Sequence, residues 1–185
     1  MRRTTLSLIA AGVAAIAVVN APFTSMAWGD DENRKTLTVD VAWDCRTFNY
    51  LRGVPLDQTV RGDGFIMNGT VFPAGTLLLG SQNNDPNASG GIGSWVGRGT
   101  STATLAQHIA NPTLPAIYWT QYLSISTGMI VTEGWHAPGG TNENAVVGGS
   151  RGFRGASGDV SIETLGTNST GCANTRYRIT LTRGD

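Results

Sequence analysis

Residues 147–160 read Val-Gly-Gly-Ser-Arg-Gly-Phe-Arg-Gly-Ala-Ser-Gly-Asp-Val, and no other run constrains the fold as strongly. Five glycines (Gly148, Gly149, Gly152, Gly155 and Gly158) fall within twelve residues. Each would cost a helix interior about 1 kcal/mol relative to alanine, so a helix is excluded here. Flanking valines set the run apart from a plain linker. It reads as two strands pinched by a glycine-rich turn, where backbones approach closely and positive φ is needed.

Period-2 alternation extends the β reading along the chain. Residues 35–43 place Leu37, Val39 and Val41 on one face, with Thr36, Thr38 and Asp40 on the other. Residues 63–72 repeat the pattern with Phe65, Met67, Gly69 and Val71, and 76–80 reads as a short apolar strand after the turn at Pro73-Ala74-Gly75. Residues 81–91, rich in Asn, Ser, Gly and Asp, form a loop. Further strands are expected at 93–103, 117–126, 129–137, 145–149, 155–164 and 175–182, with one helical turn at 105–110. About eight strands with short turns mean an antiparallel barrel or a sandwich. Glycines inside the strands (Gly69, Gly97, Gly99, Gly134) favour the barrel, because sharp coiling uses them. The expected fold is a single all-β domain over 35–185, an antiparallel eight-stranded, lipocalin-like β-barrel, preceded by a polar, acidic arm at 28–34.

The first 27 residues read as a signal peptide. Arg2 and Arg3 form a positive n-region, residues 6–19 are apolar, and Ser25-Met26-Ala27 supplies small residues for cleavage after Ala27. The apolar run is too short to span a bilayer comfortably, so no membrane span is expected in the mature chain. The destination is secreted or periplasmic. Of 13 basic and 13 acidic residues, processing removes Arg2 and Arg3 and leaves a small acidic excess; Lys35 is the sole lysine. No basic face for nucleic acid or anionic lipid follows. Cys45 and Cys172 are the two cysteines. In an oxidising compartment such a pair reads first as one disulfide. A nucleophilic cysteine, which needs a nearby base, and a metal site, which needs more ligands, are the alternatives.

The run Gly148-Gly149-Ser150-Arg151-Gly152-Phe153-Arg154-Gly155-Ala156-Ser157-Gly158 resembles the signature of the dirigent and allene oxide cyclase barrel superfamily. Gly62-Asp63-Gly64-Phe65, Phe72-Pro73-Ala74-Gly75-Thr76, Gly93-Ser94-Trp95-Val96-Gly97-Arg98-Gly99 and the strand 128–134 are similar to bacterial members, in the same order. The resemblance implies a barrel whose interior or mouth holds an apolar small molecule, without metal or organic cofactor. It also implies a homo-oligomer, and a bridge between the chain's ends like that of plant dirigent proteins. Ser157 stands where the family has an arginine, and serine supplies neither its charge nor its fork of donors. The carry-over is therefore of the barrel and not of phenoxy-radical coupling; Arg154 keeps the other arginine of the pattern.

Among candidate chemical groups, Glu133 shares its alternating face with Met129, Val131 and Trp135. If that face lines the cavity, the carboxyl is desolvated and becomes a usable acid or base. The alternative frame places it at the rim or outside. Trp95, Trp119, Trp135 and Phe153, with Arg154, are the candidate ligand-binding residues, their aromatic rings serving equally as core. His108 and His136 lack metal-site spacing. Gly148-Gly149-Ser150-Arg151-Gly152 matches a nucleophile-elbow pattern, but no helix follows and both histidines precede the serine. Asn68, Asn87 and Asn168 open glycosylation sequons, read here as turn and strand residues. Two functional readings stay open. One is an exported barrel that binds an apolar molecule and steers its cyclisation or stereochemistry, as a cofactor-independent cyclase or isomerase. The other is a non-catalytic secreted carrier or structural barrel module. Export predicts a mature chain starting at Trp28; intact mass of the protein recovered from its host checks this, and a retained 1–27 segment overturns it.

Overall fold

The computed structural model describes residues 34–53, 58, 60–80, 85–111, 114, 117–137 and 141–183. The leader at 1–27 and the arm up to residue 33 lie outside the described residues, whereas Arg34, expected as the arm's last residue, already opens a strand. Eight strands follow in order: β1 Arg34–Tyr50, β2 Gly64–Pro73, β3 Gly93–Ser101, β4 Ile117–Ile125, β5 Gly128–His136, β6 Thr141–Arg151, β7 Ala156–Thr167 and β8 Ala173–Arg183. One short helix, α1 Leu105–Ala110, joins β3 to β4. Each strand pairs antiparallel with the next, and β8 pairs with β1 to close the barrel. Among the described residues no helix is long and apolar enough to cross a membrane.

The expected strand at 76–80 is not formed. Asp40, fully buried on the outer side of β1, accepts the Leu77 N–H (3.0 Å) and is clamped by Arg176 (Nε to Oδ1, 2.8 Å). Leu77 packs against Ala42, Phe72 and Leu165 on the barrel's outside, and the Gly80 N–H donates to the Leu165 carbonyl (2.7 Å). These bonds attach the segment to the wall and take it out of the ladder. The helical turn does form. Its Thr104-Leu105-Ala106-Gln107 start is a capping box, with the Thr104 hydroxyl accepting from the Gln107 N–H and the Gln107 side chain accepting from the Thr104 N–H.

Most apolar side chains of the wall point inward, including Val39, Val41 and Trp43 from β1, Phe65 and Met67 from β2, and Tyr177, Ile179 and Leu181 from β8. The in-strand glycines sit where large rings lie over the inner wall. A Cβ on Gly97 would stand 2.4 Å from the Trp95 ring, and one on Gly99 2.7 Å from both Phe65 and Trp119. A Cβ on Gly69 would meet the Ala42 carbonyl at 2.6 Å and the Trp95 ring at 3.2 Å. These positions make room for tryptophan; φ is ordinary at all three.

β1 is the longest strand, with a register break against β2 between Asp44 and Asn49. The broken stretch holds Cys45, which is bonded to Cys172 just before β8, their Cα atoms 5.2 Å apart. The cysteine pairing expected from the sequence is thus present, spanning 127 positions. Cys172→Ser lowers unfolding stability by about 2–5 kcal/mol, read as a shift of the urea midpoint; an unchanged midpoint would show that strand pairing alone closes the barrel.

Candidate functional site

The barrel has two unlike ends. At one, the hairpin joining β6 to β7 folds over: Phe153 is buried against Gly128 and Gly149, where a Cβ would lie 3.2 Å from the Phe153 ring and 2.5 Å from its carbonyl oxygen respectively. The glycine-rich motif therefore supplies the closed end. At the other end the wall opens into a cavity of about 480 Å³ lined mainly by Trp43, Phe48, Tyr50, Phe65, Met67, Ile117, Trp119 and His136, with the Cys45–Cys172 bridge in its rim.

Its floor is built from three tryptophans. Trp43 stacks on Trp95 (centroids 5.5 Å, 19°) and meets Trp119 edge-on at 5.0 Å, while Trp95 and Trp119 are 5.5 Å apart. Such offset and edge contacts add about 0.5–1.5 kcal/mol each beyond area burial. His136 leans on Trp43 and Trp119 at 5.3 and 4.9 Å. Phe48 stacks on Phe65 at 5.3 Å and continues the aromatic wall to the mouth. Below the floor, Trp95 Nε1–H donates to Gln121 Oε1 (3.1 Å), and the Tyr177 hydroxyl donates to the same oxygen. Burial pushes the Tyr177 phenol up, so it stays a neutral donor.

Polar bonds hold the mouth from outside. Asn168 Nδ2 donates to the Trp43 carbonyl (2.8 Å), the Thr170 hydroxyl donates to Asn168 Oδ1 (2.7 Å), and the Cys45 N–H donates to Thr170 Oγ1 (3.1 Å). Asn168, the first residue of one sequon, is thereby a buried structural residue. Asp63 takes a forked bond from Arg52 (2.7 and 2.9 Å) and the Val60 N–H, fixing the β1–β2 connection. Asp44 binds Arg46 in the same forked way.

The sequence-derived candidates separate in space. Trp119 lines the cavity and Trp95 forms the floor beneath it. Trp135 does not: it is 53% exposed on the outer wall, packed edge-on against Tyr118 at 5.1 Å. Glu133 is on that same outer face, where it accepts from the Thr120 hydroxyl (2.8 Å) and lies 3.5 Å from the Tyr118 hydroxyl. The inward set on β5 is Ile130, Thr132, Gly134 and His136, one residue out of frame with the expected face. Alternation cannot choose between these frames when both carry apolar residues; the choice falls to Gly134, opposite Trp119, which leaves inner space that a side chain would fill. Phe153 and Arg154 lie at the closed end, the first as its plug and the second exposed. The His108 side chain lies outside the described residues.

Trp43, Phe48, Tyr50 and Met67 escaped the sequence reading as site residues. Trp43 continues the Leu37, Val39, Val41 alternation and was detectable on that ground. Phe48 and Tyr50 follow the register break, which no local pattern announces.

Arg52 and Arg46, through their hydrogen bonds, hold the Asp63 and Asp44 carboxyls below the usual carboxylate range. Groups depressed on folding stabilise above the unfolded pKa, about 4, and that contribution is lost as pH falls through the lowered values. Melting temperature is therefore expected to drop below about pH 4, and Asp63→Asn to flatten the drop; an equally steep acid limb in that variant would exclude the pair as its source.

No family model and no curated protein matches this chain. Solved structures do. The pterocarpan synthase dirigent protein PsPTS1 superposes with TM-score 0.59 at 16% identity, covering 83% of this chain and 97% of that one. Pyocyanin demethylase gives 0.53 at 17%, covering 80% and 99%. The Diels Alderase AbmU from Streptomyces koyangensis gives 0.51 at 16%, covering 85% and 72%. At such identities the likeness is one of fold, and it agrees with the antiparallel barrel expected from the sequence.

Proposed function

We propose that this closed barrel, similar in fold to dirigent proteins and Diels–Alderases, binds an apolar, unsaturated small molecule in its open end and steers that molecule's cyclisation or stereochemistry. The observation that carries this reading is the aromatic cavity of about 480 Å³, within the size of small-molecule sites. Flat walls from Trp43, Trp119 and Phe65 suit a flat or polyene ligand. Confinement selects the folded conformer in which reacting carbons are adjacent, so part of the entropic barrier is met on binding. An apolar wall also keeps water from a reactive centre. Ring closure within such a substrate exchanges π bonds for σ bonds and consumes no other reactant.

Among the described residues the lining is aromatic and aliphatic, with Thr164 and His136 as its polar side chains, and that observation favours a second reading: a carrier that binds the same class of molecule without transforming it. We place the protein outside the cytoplasm, a reading supported by the disulfide and by the leader expected at residues 1–27.

Ala173 lines the cavity from β8. Ala173→Trp is expected to fill the space and weaken binding at least about tenfold, measured by quenching of tryptophan fluorescence with a panel of polyenes and phenolics, with circular dichroism verifying the fold. Unchanged affinity in a folded variant, or no quenching of the wild type by any compound, would defeat the cavity reading. Turnover of a bound polyene to a single ring-closed isomer separates the cyclase from the carrier.

A further inference from the structure

The outer wall of β3, β4 and β5 carries residues that the cavity leaves unused. Strand pairing sets Arg98 on β3, Thr120 on β4 and Glu133 on β5 side by side in one cross-strand row. The next outward row holds Thr100, Tyr118 and Trp135, and the row on the other side holds Val96, Tyr122 and Val131. A polar row is thereby flanked by aromatic rings. A groove of about 320 Å³ follows it, with Arg98, Thr100, Tyr118, Thr120 and Tyr122 in its lining. Its volume is at the lower end of small-molecule sites. These side chains reach solvent: Arg98, Thr100 and Tyr118 are exposed, Thr120 and Tyr122 half-buried. Glu133, half-buried, and Trp135, exposed, adjoin the groove on β5.

The groups suit a ligand with apolar faces and hydroxyl edges. The Trp135 and Tyr118 rings meet edge-on at 5.1 Å, yet both stay exposed and give solvent an aromatic platform. Glu133 accepts from the Thr120 hydroxyl (2.8 Å), which fixes the carboxylate beside the groove. An ionised carboxylate accepts about four hydrogen bonds, so positions remain for other donors. Arg98 differs from the other wall arginines. None of the ion pairs among the described residues includes it. Glu133, two strands away in the same row, is about 10 Å off by strand spacing. The guanidinium fork of Arg98 therefore lies at the groove without a carboxylate to bind. A second copy of this chain is the poorer match, because interface centres are depleted of charge and the middle row here holds a cation and an anion. A sugar is the better one. Its C–H face lies flat on an aromatic ring, its hydroxyls donate to a carboxylate, and the carboxylate of a uronic acid fills the arginine fork.

We propose that this outer groove binds an acidic saccharide, with a uronic-acid carboxylate on Arg98, a hydroxyl on Glu133 and a sugar ring against Tyr118 and Trp135. Tyr122 lies about 13 Å from Tyr118 along β4 and offers a second ring, so an oligomer is preferred to a single sugar. The site is on the opposite side of the wall from the cavity and does not depend on what the cavity holds. Binding there would attach the barrel to an acidic polysaccharide and leave its open end free.

The test uses the full disulfide-bonded protein and trimers of galacturonate, glucuronate, mannuronate and guluronate, each beside its methyl ester, which keeps the rings and removes the charge. In calorimetric titration at least one trimer is expected to bind about tenfold more tightly as the acid than as the ester. Arg98→Gln should erase that preference, and Trp135→Ala should weaken acid and ester alike by about tenfold. In the nitrogen-15 spectrum of the wild type, the Trp135 indole N–H should shift on binding while those of Trp43 and Trp119 hold still. A purely structural role for Trp135 would give no such shift. Absence of binding by every uronate trimer overturns the proposal and leaves the cavity reading standing. Equal affinity for acid and ester overturns it as well, since Arg98 then takes no part. Shifts at Trp43 and Trp119 in place of Trp135 also overturn it, by placing the saccharide in the cavity. A wild-type dimer in sedimentation that Trp135→Ala dissociates overturns it by assigning the face to a second copy of the chain.

Discussion

The packing of Trp43, Trp95 and Trp119 against inward-facing glycines decides where this barrel is solid and where it is hollow. An eight-stranded barrel has an interior just wide enough for side chains or for one small ligand. Gly97 and Gly99 on β3 let the Trp95 and Phe65 rings lie close to the wall, and the three indoles meet one another across the barrel. Toward the glycine-rich hairpin the interior is filled by Leu123, Ile130, Val160, Ile179 and Leu181. Toward the other end, Phe48, Tyr50 and Phe65 form an aromatic wall above the indoles, and the cavity among the described residues begins there. A methyl group at Gly97 or Gly99 would displace a ring and move that boundary, which links the composition of one strand directly to the shape of the site.

Charge is kept on the outside of this arrangement. The forked pairs Arg52–Asp63 and Arg46–Asp44, the Asp40–Arg176 clamp, and the Asn168–Thr170 turn hold the strand ends from the solvent side. The inner wall carries indole, phenyl, thioether and amide groups. The chamber is thus defined by shape and by neutral groups, with the charged pairs held away from it. Dirigent proteins and Diels–Alderases are neighbours in fold, yet fold neighbours transmit shape and not chemistry; the lining residues decide the latter.

Particular elements show how far sequence reasoning reaches. The alternation at 35–43 and 63–72 located β1 and β2, and the glycine-rich run located the β6–β7 hairpin, because period 2 and positive-φ turns are local properties. The Thr104 to Gln107 capping box is local in the same sense. Residues 76–80 have the composition of a strand, but a buried carboxylate, Asp40, from a distant part of the chain takes the Leu77 N–H and removes the segment from the sheet. Glu133 and His136 illustrate the commonest ambiguity in a barrel. Both faces of β5 carry apolar residues, so the frame is settled by what β4 and β6 place opposite, namely Trp119 and Asn144 across Gly134.

The expectation of an apolar chamber rested on the family resemblance; from the residues themselves came the class of the fold, the number and order of its strands within about one, and the pairing of Cys45 with Cys172. These depend on residue type and near-neighbour spacing, which are written along the chain. Tertiary structure decided which end holds the cavity, and that Trp43, Phe48 and Tyr50 line it while Glu133, Trp135 and Arg154 lie outside it. Each of those depends on strand register around a closed ring. A shift of one residue exchanges inside for outside, and only the simultaneous pairing of all eight strands selects the register.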